Sequence, residues 1–356
     1  MDSSIYKKIM DYLLDLIGRN ASVPNYKLPS ERMLAAHFEA SRKPVQHAYD
    51  KLIEYGYVTK VHGSGYFIRS DIKAERLQSA IYKNVRIAFI TVSAKTRFSH
   101  AILTGIGDFC AEHKIEYTVH FSDNSPTKEA ALLHSLPRSG AMGVILFPVD
   151  DEYPYQDELI RYSLRKYPFV LVDRALPNIS ASFIASDNHN AMVDAVRFLY
   201  ERNYKNPLFI TPPTHIAATV EARINGYTHG LLKYYKIAAP RNLLSLGGGA
   251  AQQQESIARL LRKYPDTDAI IVQGTLCDPV LTTLRSLHME HIRLMVFDDE
   301  LSYAVRRQLQ PYFIQQDGYH IGYYAAQTLY NHILGDTHPV AKRLPVSIVD
   351  FEGKVD

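Results

Sequence analysis

The 356-residue chain has only two cysteines, Cys110 and Cys277, far apart and in no zinc or redox spacing. This scarcity excludes a disulfide-stapled secreted scaffold and favours a reducing compartment, so a cytoplasmic location is expected. Long apolar runs are also missing. The longest, such as Gly143–Val149, are strand-sized and too short to span a bilayer, so no membrane partner is expected. The opening MDSSIYKKIMDYLLDLIGRN scatters charges through an amphipathic pattern and has no small-residue cleavage site, which argues against a signal peptide. The fifteen histidines form no HExxH or other metal-spaced pair. Gly247-Gly248-Gly249 lacks the following Lys-Ser/Thr of a phosphate loop, and Ser30 lies in no Gly-x-Ser-x-Gly elbow. No catalytic residue, metal or cofactor is therefore expected.

What is present is ordinary globular composition, 46% hydrophobic and 22% charged. The net charge of +3 is unevenly placed. Residues 1–70 hold ten Lys/Arg against seven Asp/Glu, and the remainder is neutral. A basic small end on a neutral large body points to a polyanionic partner for the small end.

Ile5, Ile9, Leu13, Leu16 and Ile17 recur at helical spacing, which predicts an amphipathic helix over 4–18. A loop containing Pro24 follows. Ser30 is a suitable N-cap for a second helix whose apolar face is expected to be Met33, Leu34 and Phe38. Ser41 opens a third helix, with Val45, Ala48, Tyr49 and Leu52 facing inward and Gly56 ending it. Tyr57–Val61, His62–Gly65 and Tyr66–Ile68 then read as strand, glycine turn, strand. Two short helices and a hairpin make a winged helix-turn-helix. Tyr6, Tyr12, Tyr49 and Tyr55 read as core or dimer-surface aromatics.

The run from Tyr26 to Ile68 resembles the head of the GntR family. Leu28-Pro29-Ser30-Glu31-Arg32, Ser41-Arg42 and Gly63-Ser64-Gly65-Tyr66-Phe67 carry the likeness in order and spacing. The resemblance implies operator DNA as partner. It places contacts at Arg32, at Ser41, Arg42 and Lys43 opening the recognition helix, and at His62 and Gly63 in the wing. Gln46 stands where many members carry Arg; Gln pairs with adenine where Arg suits guanine, so a different operator is expected. The competing reading is a winged helix used for protein docking.

Residues 71–84 read as a polar linker. From Val85 onward strand and helix patterns alternate, which predicts parallel sheets covered on both faces, and the length calls for two lobes over 85–356. The expected fold class is thus α/β, a winged helix-turn-helix followed by a two-lobed periplasmic-binding-protein-like domain. This larger part resembles the LacI/GalR effector domain through Val85–Val92, Val170–Arg174, Ser186-Asp187-Asn188, Arg223-Ile224-Asn225-Gly226-Tyr227, Val296–Asp299 and Gln315-Gln316-Asp317.

Ligands in such folds bind beyond the carboxyl ends of the strands. The residues at those ends include Ser93, Asp173, Arg174, Gln273 and Thr275, with Asp173-Arg174 equally readable as an internal ion pair. The resemblance implies ligand contacts at Arg223, Asp298 and Gln316, then at Phe98, Ser99 and Asp150. Carboxylates, planar amides, an arginine and an aromatic suit a polyol, so the expected effector is a sugar. A homodimeric repressor of carbohydrate-utilisation genes is the expected function. The alternatives are an enzyme or a sensor of a non-sugar molecule on the doubly wound domain, and a periplasmic solute receptor.

Overall fold

The computed structural model describes residues 3–20, 23, 25–54, 56–69, 85–149, 157–176, 179–213, 218–238, 243–298, 301–334, 336 and 338–354. The linker over 71–84, Tyr55, Asp150 and Asp299 lie outside them.

The amphipathic repeat near the start forms α1 (Ser3–Asn20), with Ile9, Leu13 and Ile17 fully buried. Ser30 caps α2 (Glu31–His37) by accepting from Met33 N at 3.3 Å. The inward face of α2 is Leu34 and Ala35, while Met33 is 63% exposed. The expectation for Met33 is therefore corrected: it precedes the buried pair Leu34 and Ala35 and lies on the solvent side of the helix. α3 (Arg42–Glu54) buries Val45, Ala48, Tyr49 and Leu52. β1 (Val58–Val61) and β2 (Gly65–Ile68) pair antiparallel as the wing, and the segment around Lys27 adds a third, bridging strand to β2.

Two six-stranded sheets follow. The first, lobe 1, contains β3 (Arg86–Thr91), β4 (Glu116–Phe121), β5 (Gly143–Leu146), β6 (Phe169–Val172), β7 (Ser182–Ser186) and β13 (Ala341–Leu344), in the order β4-β3-β5-β6-β7-β13 and all parallel. The second, lobe 2, contains β8 (Pro207–Thr211), β9 (Leu243–Ser245), β10 (Ala269–Gln273), β11 (Arg293–Phe297), β12 (Tyr312–Gln315) and β14 (Ser347–Val349), in the order β9-β8-β10-β11-β12-β14. Only β14 runs antiparallel. The two orders correspond strand for strand, so the lobes repeat one topology. Inner strands such as β5, β6 and β8 are buried at every residue, because helices cover both faces.

Helices α4 (Arg97–Glu112), α5 (Pro126–Ser135), α6 (Asp157–Leu164) and α12 (Gly318–Ile333) cover lobe 1. Helices α7 (Asn188–Glu201), α8 (Ala218–Gly230), α9 (Ala250–Lys263), α10 (Cys277–Ser286) and α11 (Tyr303–Leu309) belong to lobe 2. The chain crosses between lobes after β7, β12 and β13. Helix α8 ends at Gly230 and continues as a wider π turn over Leu231–Tyr235. Strands β7, β12, β13 and β14 and helix α11 were not read from the sequence. Among the described residues no helix is long and apolar enough to cross a membrane, and no group of His, Cys, Asp and Glu is placed to hold a metal ion.

Candidate DNA-binding and effector sites

In the head, every residue expected to meet DNA is exposed: Arg32 on α2, Ser41, Arg42, Lys43 and Gln46 at the start of α3, and His62 and Gly63 in the wing turn. Arg42 and Gln46 share one helix face at a spacing of four. No carboxylate among the described residues neutralises Arg32, Arg42 or Lys43. Gly63 (φ 75°) and Gly65 (φ 116°) adopt the left-handed backbone that the tight wing turn requires.

Three further residues set the geometry of this surface, and sequence reasoning gave them only a core role or none. The Tyr66 ring of the wing stacks on the Tyr49 ring of α3, 3.8 Å between centroids and 4° from parallel. Its hydroxyl donates to the Glu31 carboxylate on α2, and the Tyr49 hydroxyl donates to Pro29 O. One aromatic stack thus ties together the three elements that carry the exposed cations. Burial pushes both phenols up, with Glu31 adding to the shift at Tyr66. Both stay neutral and donate at any physiological pH.

The second site lies where the strands of both lobes end. Arg223 is 4% exposed on α8. Its motif spacing has a mechanical reason. A Cβ at Gly226 would stand 2.1 Å from His189 O, so only glycine lets α8 lie this close to α7. One turn earlier, that closeness brings Arg223 Nε to 2.7 Å from Asn188 Oδ1. Tyr227 closes the motif by donating to Pro207 O at 3.0 Å. The guanidinium carbon lies 3.6 Å from the Phe297 ring centroid, a desolvated cation–π contact. Burial lowers the affinity of Arg223 for its proton; Asp298 and then Asp173 oppose this, and Arg174 adds to it. Arginine's high intrinsic basicity keeps it charged.

Asp173 and Asp298 occupy corresponding places, one residue past β6 and β11. Each has a left-handed backbone, φ 69° and 70°. Each donates its N–H to the neighbouring strand, Asp173 to Ile184 O at 3.0 Å and Asp298 to Ile314 O at 3.1 Å. This repeated turn directs a carboxylate from each lobe toward Arg223. Arg174 pairs with Asp173 at 3.3 Å and lies 5.7 Å from the Phe147 ring centroid. Phe147 in turn meets Phe98 edge-on at 6.2 Å. Gln316 Nε2 donates to Asp298 Oδ1 at 2.8 Å. Ser99 is tied into the start of α4, its hydroxyl and backbone both bonded to Thr96 Oγ1.

Arg223, Asp298 and Gln316 are thus gathered together, with Phe98 flanking Phe147 and Arg174. Asp150 lies outside the described residues, and Thr275 is exposed in the turn after β10. Asn188, Phe147 and Phe297 were not singled out from sequence, although Asn188 and Phe297 stood inside quoted motifs.

Among the described residues, four buried side-chain oxygens have no partner: Ser186 Oγ, Thr211 Oγ1, Gln273 Oε1 and Gln316 Oε1. All four lie at or just past the carboxyl end of a strand, β7, β8, β10 and β12. Buried polar atoms without partners are scarce, and each costs about 1–3 kcal/mol. Four at one end of two sheets are suited to accept hydrogen bonds from something that enters there.

Each part of the chain is similar to known proteins. The family described as "Bacterial regulatory proteins, gntR family" matches residues 5–68, and "Periplasmic binding protein domain" matches residues 87–337. The chain is 26% identical over 133 residues to the HTH-type transcriptional regulator KdgR of Bacillus subtilis, covering 37% of this chain and 38% of that protein. It is 25% identical over 187 residues to the arabinose metabolism transcriptional repressor of Halalkalibacterium halodurans, covering 51% and 49%. The chain thus spans about half or less of the length of these two relatives. A sugar-binding protein of a sugar ABC transporter from Bacillus halodurans superposes with a TM-score of 0.67 at 16% identity, covering 76% of this chain and 98% of that one. At that identity the likeness shows the fold alone.

Proposed function

Because the chain belongs to the periplasmic binding protein domain family over residues 87–337 and matches the gntR regulatory family over 5–68, we propose that it is a transcription regulator whose operator binding responds to a small polyhydroxylated effector. The proposed units are a DNA-binding head over 1–70, a linker over 71–84 and an effector domain over 85–356. The curated relatives are transcription regulators, one of them of arabinose metabolism, which supports a sugar as effector. Repression of sugar-utilisation genes by a cytoplasmic homodimer, with no chemical turnover of the effector, completes the reading.

The observation that carries it is the set of unpartnered oxygens at the strand ends around Arg223. Carbonyl oxygens of Gln273 and Gln316 accept only, so they require donors, and ring hydroxyls supply them. Phe98, half-buried beside Phe147, offers an apolar face to the C–H side of a sugar ring, while Asp298 and Arg223 take paired hydroxyls. In the head, Arg32, Arg42 and Lys43 meet phosphates or bases, Gln46 reads a base edge, and Ser41, His62 and Gly63 contact the backbone.

Regulation follows from linkage. A ligand held by residues of both lobes stabilises one lobe arrangement. If that arrangement alters operator binding by a given factor, operator alters ligand affinity by the same factor.

The test is thermal denaturation of the full chain against a panel of neutral sugars, sugar acids and polyols, followed by gel shift with and without any hit. A ligand at 100 times its Kd stabilises by about 2.7 kcal/mol. Stabilisation by a sugar that also changes DNA binding supports the reading. Consumption of the sugar would make the chain an enzyme and refute it.

A further inference from the structure

Lobe 1 carries a basic pocket unconnected with the effector site. It has a volume of about 310 Å³ between α5 and α6, floored by Leu133, Tyr162 and Tyr167. Among the described residues, Arg138, Arg161, Arg165 and Lys166 surround it against a single carboxylate, Glu158. That carboxylate is already satisfied. Arg161 Nη1 donates to Glu158 Oε1 at 2.6 Å, and His134 Nδ1 donates to the same oxygen at 2.9 Å. Arg138 Nη1 donates to His134 Nε2 at 2.9 Å, and Arg138 has no carboxylate partner among the described residues. Arg165 and Lys166 are exposed and have no carboxylate partner among the described residues. Their backbone is nonetheless well defined. Lys166 takes the left-handed conformation (φ 53°) that ends the helix, and Tyr167 N returns to Tyr162 O at 2.8 Å.

The topology fixes which way this pocket faces. The segments just before β5 and β6 carry it, so it lies at the amino ends of the strands, opposite the effector site. The chain enters lobe 1 at that same end. Val85 O accepts from Glu116 N at 3.0 Å, Arg86 O from Met142 N at 2.7 Å, and Pro168 O from Val144 N at 3.1 Å. Val85, Met142 and Pro168 therefore share one edge, and the linker ties the head to it. The head's His47 agrees with this placement. Burial holds its imidazole below its usual value and Lys51 adds to that; Asp50 and Glu54 oppose it, and Lys166 acts weakly in the lowering direction from lobe 1.

We infer that Arg165 and Lys166, with Arg138 beside them, form a second DNA contact on the effector domain, one that grips backbone phosphates flanking the half-site read by the head. Uncompensated cations on the face to which a DNA-binding head is tethered match a polyanion running past that face. The contact carries no base information. It adds affinity and salt sensitivity, and lobe movement transmits to it directly, without passing through the linker.

This inference rests on the head binding DNA. The test therefore uses the full chain and duplex DNA recovered by selection from a random pool. Operator affinity is measured against salt concentration for the natural protein, for a double variant Arg165→Gln, Lys166→Asn, and for a charge-keeping double variant Arg165→Lys, Lys166→Arg. Asn suits the left-handed backbone at 166. Losing two phosphate contacts should reduce the log–log salt slope by about 1.8. The charge-keeping variant should retain the natural slope, and all three should keep the same sugar-induced rise in melting temperature. An unchanged slope in the neutral variant overturns the inference while leaving the head's function standing. So does protection of the natural protein by inorganic phosphate that the neutral variant loses at unchanged slope; the pocket would then belong to a small anion. Failure of the natural protein to bind any duplex overturns both.

Discussion

Replacing Gln316 by Leu separates what the effector site costs the empty protein from what it contributes to binding. Gln316 is 9% exposed just past β12. Its amide can face Asp298 in only one sense, because a carboxylate accepts and does not donate. Nε2 therefore points at Asp298 Oδ1, at 2.8 Å, and Oε1 is left buried without a partner. The substitution removes a hydrogen bond to a charged acceptor, worth about 1.5–3 kcal/mol. It also removes a buried orphan acceptor, whose burial costs about 1–3 kcal/mol. Leucine is close to glutamine in volume, so little cavity or strain is added. These terms offset, and the ligand-free variant should melt within a few degrees of the natural protein. The bound state has no such compensation. A ligand hydroxyl that Oε1 would accept is left facing a methyl group, at about 1–3 kcal/mol, or about 5- to 150-fold in Kd. Scanning calorimetry without ligand and titration calorimetry with the stabilising sugar measure the two quantities. Natural affinity in the variant would show that Oε1 does not face the ligand. Severe destabilisation without ligand would show that the oxygen is not an orphan.

Arg42→Ala should weaken operator binding by about 1–3 kcal/mol while leaving the melting curve unchanged, because the side chain is exposed and has no carboxylate partner among the described residues; gel shift on soluble variant checks this. Arg223→Ala should abolish the sugar response and also lower ligand-free stability by about 3–5 kcal/mol, since Asn188 Oδ1 and the Asp298 carboxylate lose a buried cation; calorimetry reads both effects, and a stable variant would contradict the assigned contacts. Burial pushes the Cys110 thiol up to about 12, so thiol reagents at pH 8 should modify it only after unfolding. For the same reason its contribution to stability is complete below the ordinary thiol range and is lost as pH rises from there toward 12. The full chain should bind as a homodimer, its footprint showing an inverted repeat with half-sites about 10 base pairs apart; light scattering showing a monomer on DNA would contradict this.

The head was readable residue by residue because its signals are local. A cap serine at 30, a buried stripe on α1 and glycines at 63 and 65 each act within a few positions of the chain. Met33 was misread because a seven-residue helix offers too few turns for periodicity to decide which side faces inward. The alternation after Val85 was enough to imply parallel sheets in two lobes. It missed β7, β12, β13 and β14, whose pairing joins segments as far apart as Phe183 and Ala341.

By itself, the sequence determined the order of the units and the chemistry available to them: a basic winged helix, a charge-balanced α/β body, and an Arg-x-x-Gly-Tyr element. Only the tertiary structure decided which polar groups consume one another and which remain. Ser99 is absorbed by the cap of α4, and Asp173 is shared between Arg174 and the field at Arg223. Thr211, Ser186, Gln273 and Gln316 each keep a buried oxygen without a partner. A polar residue's availability depends on its neighbours in space, and in a fold whose chain crosses between lobes three times those neighbours are far apart in sequence.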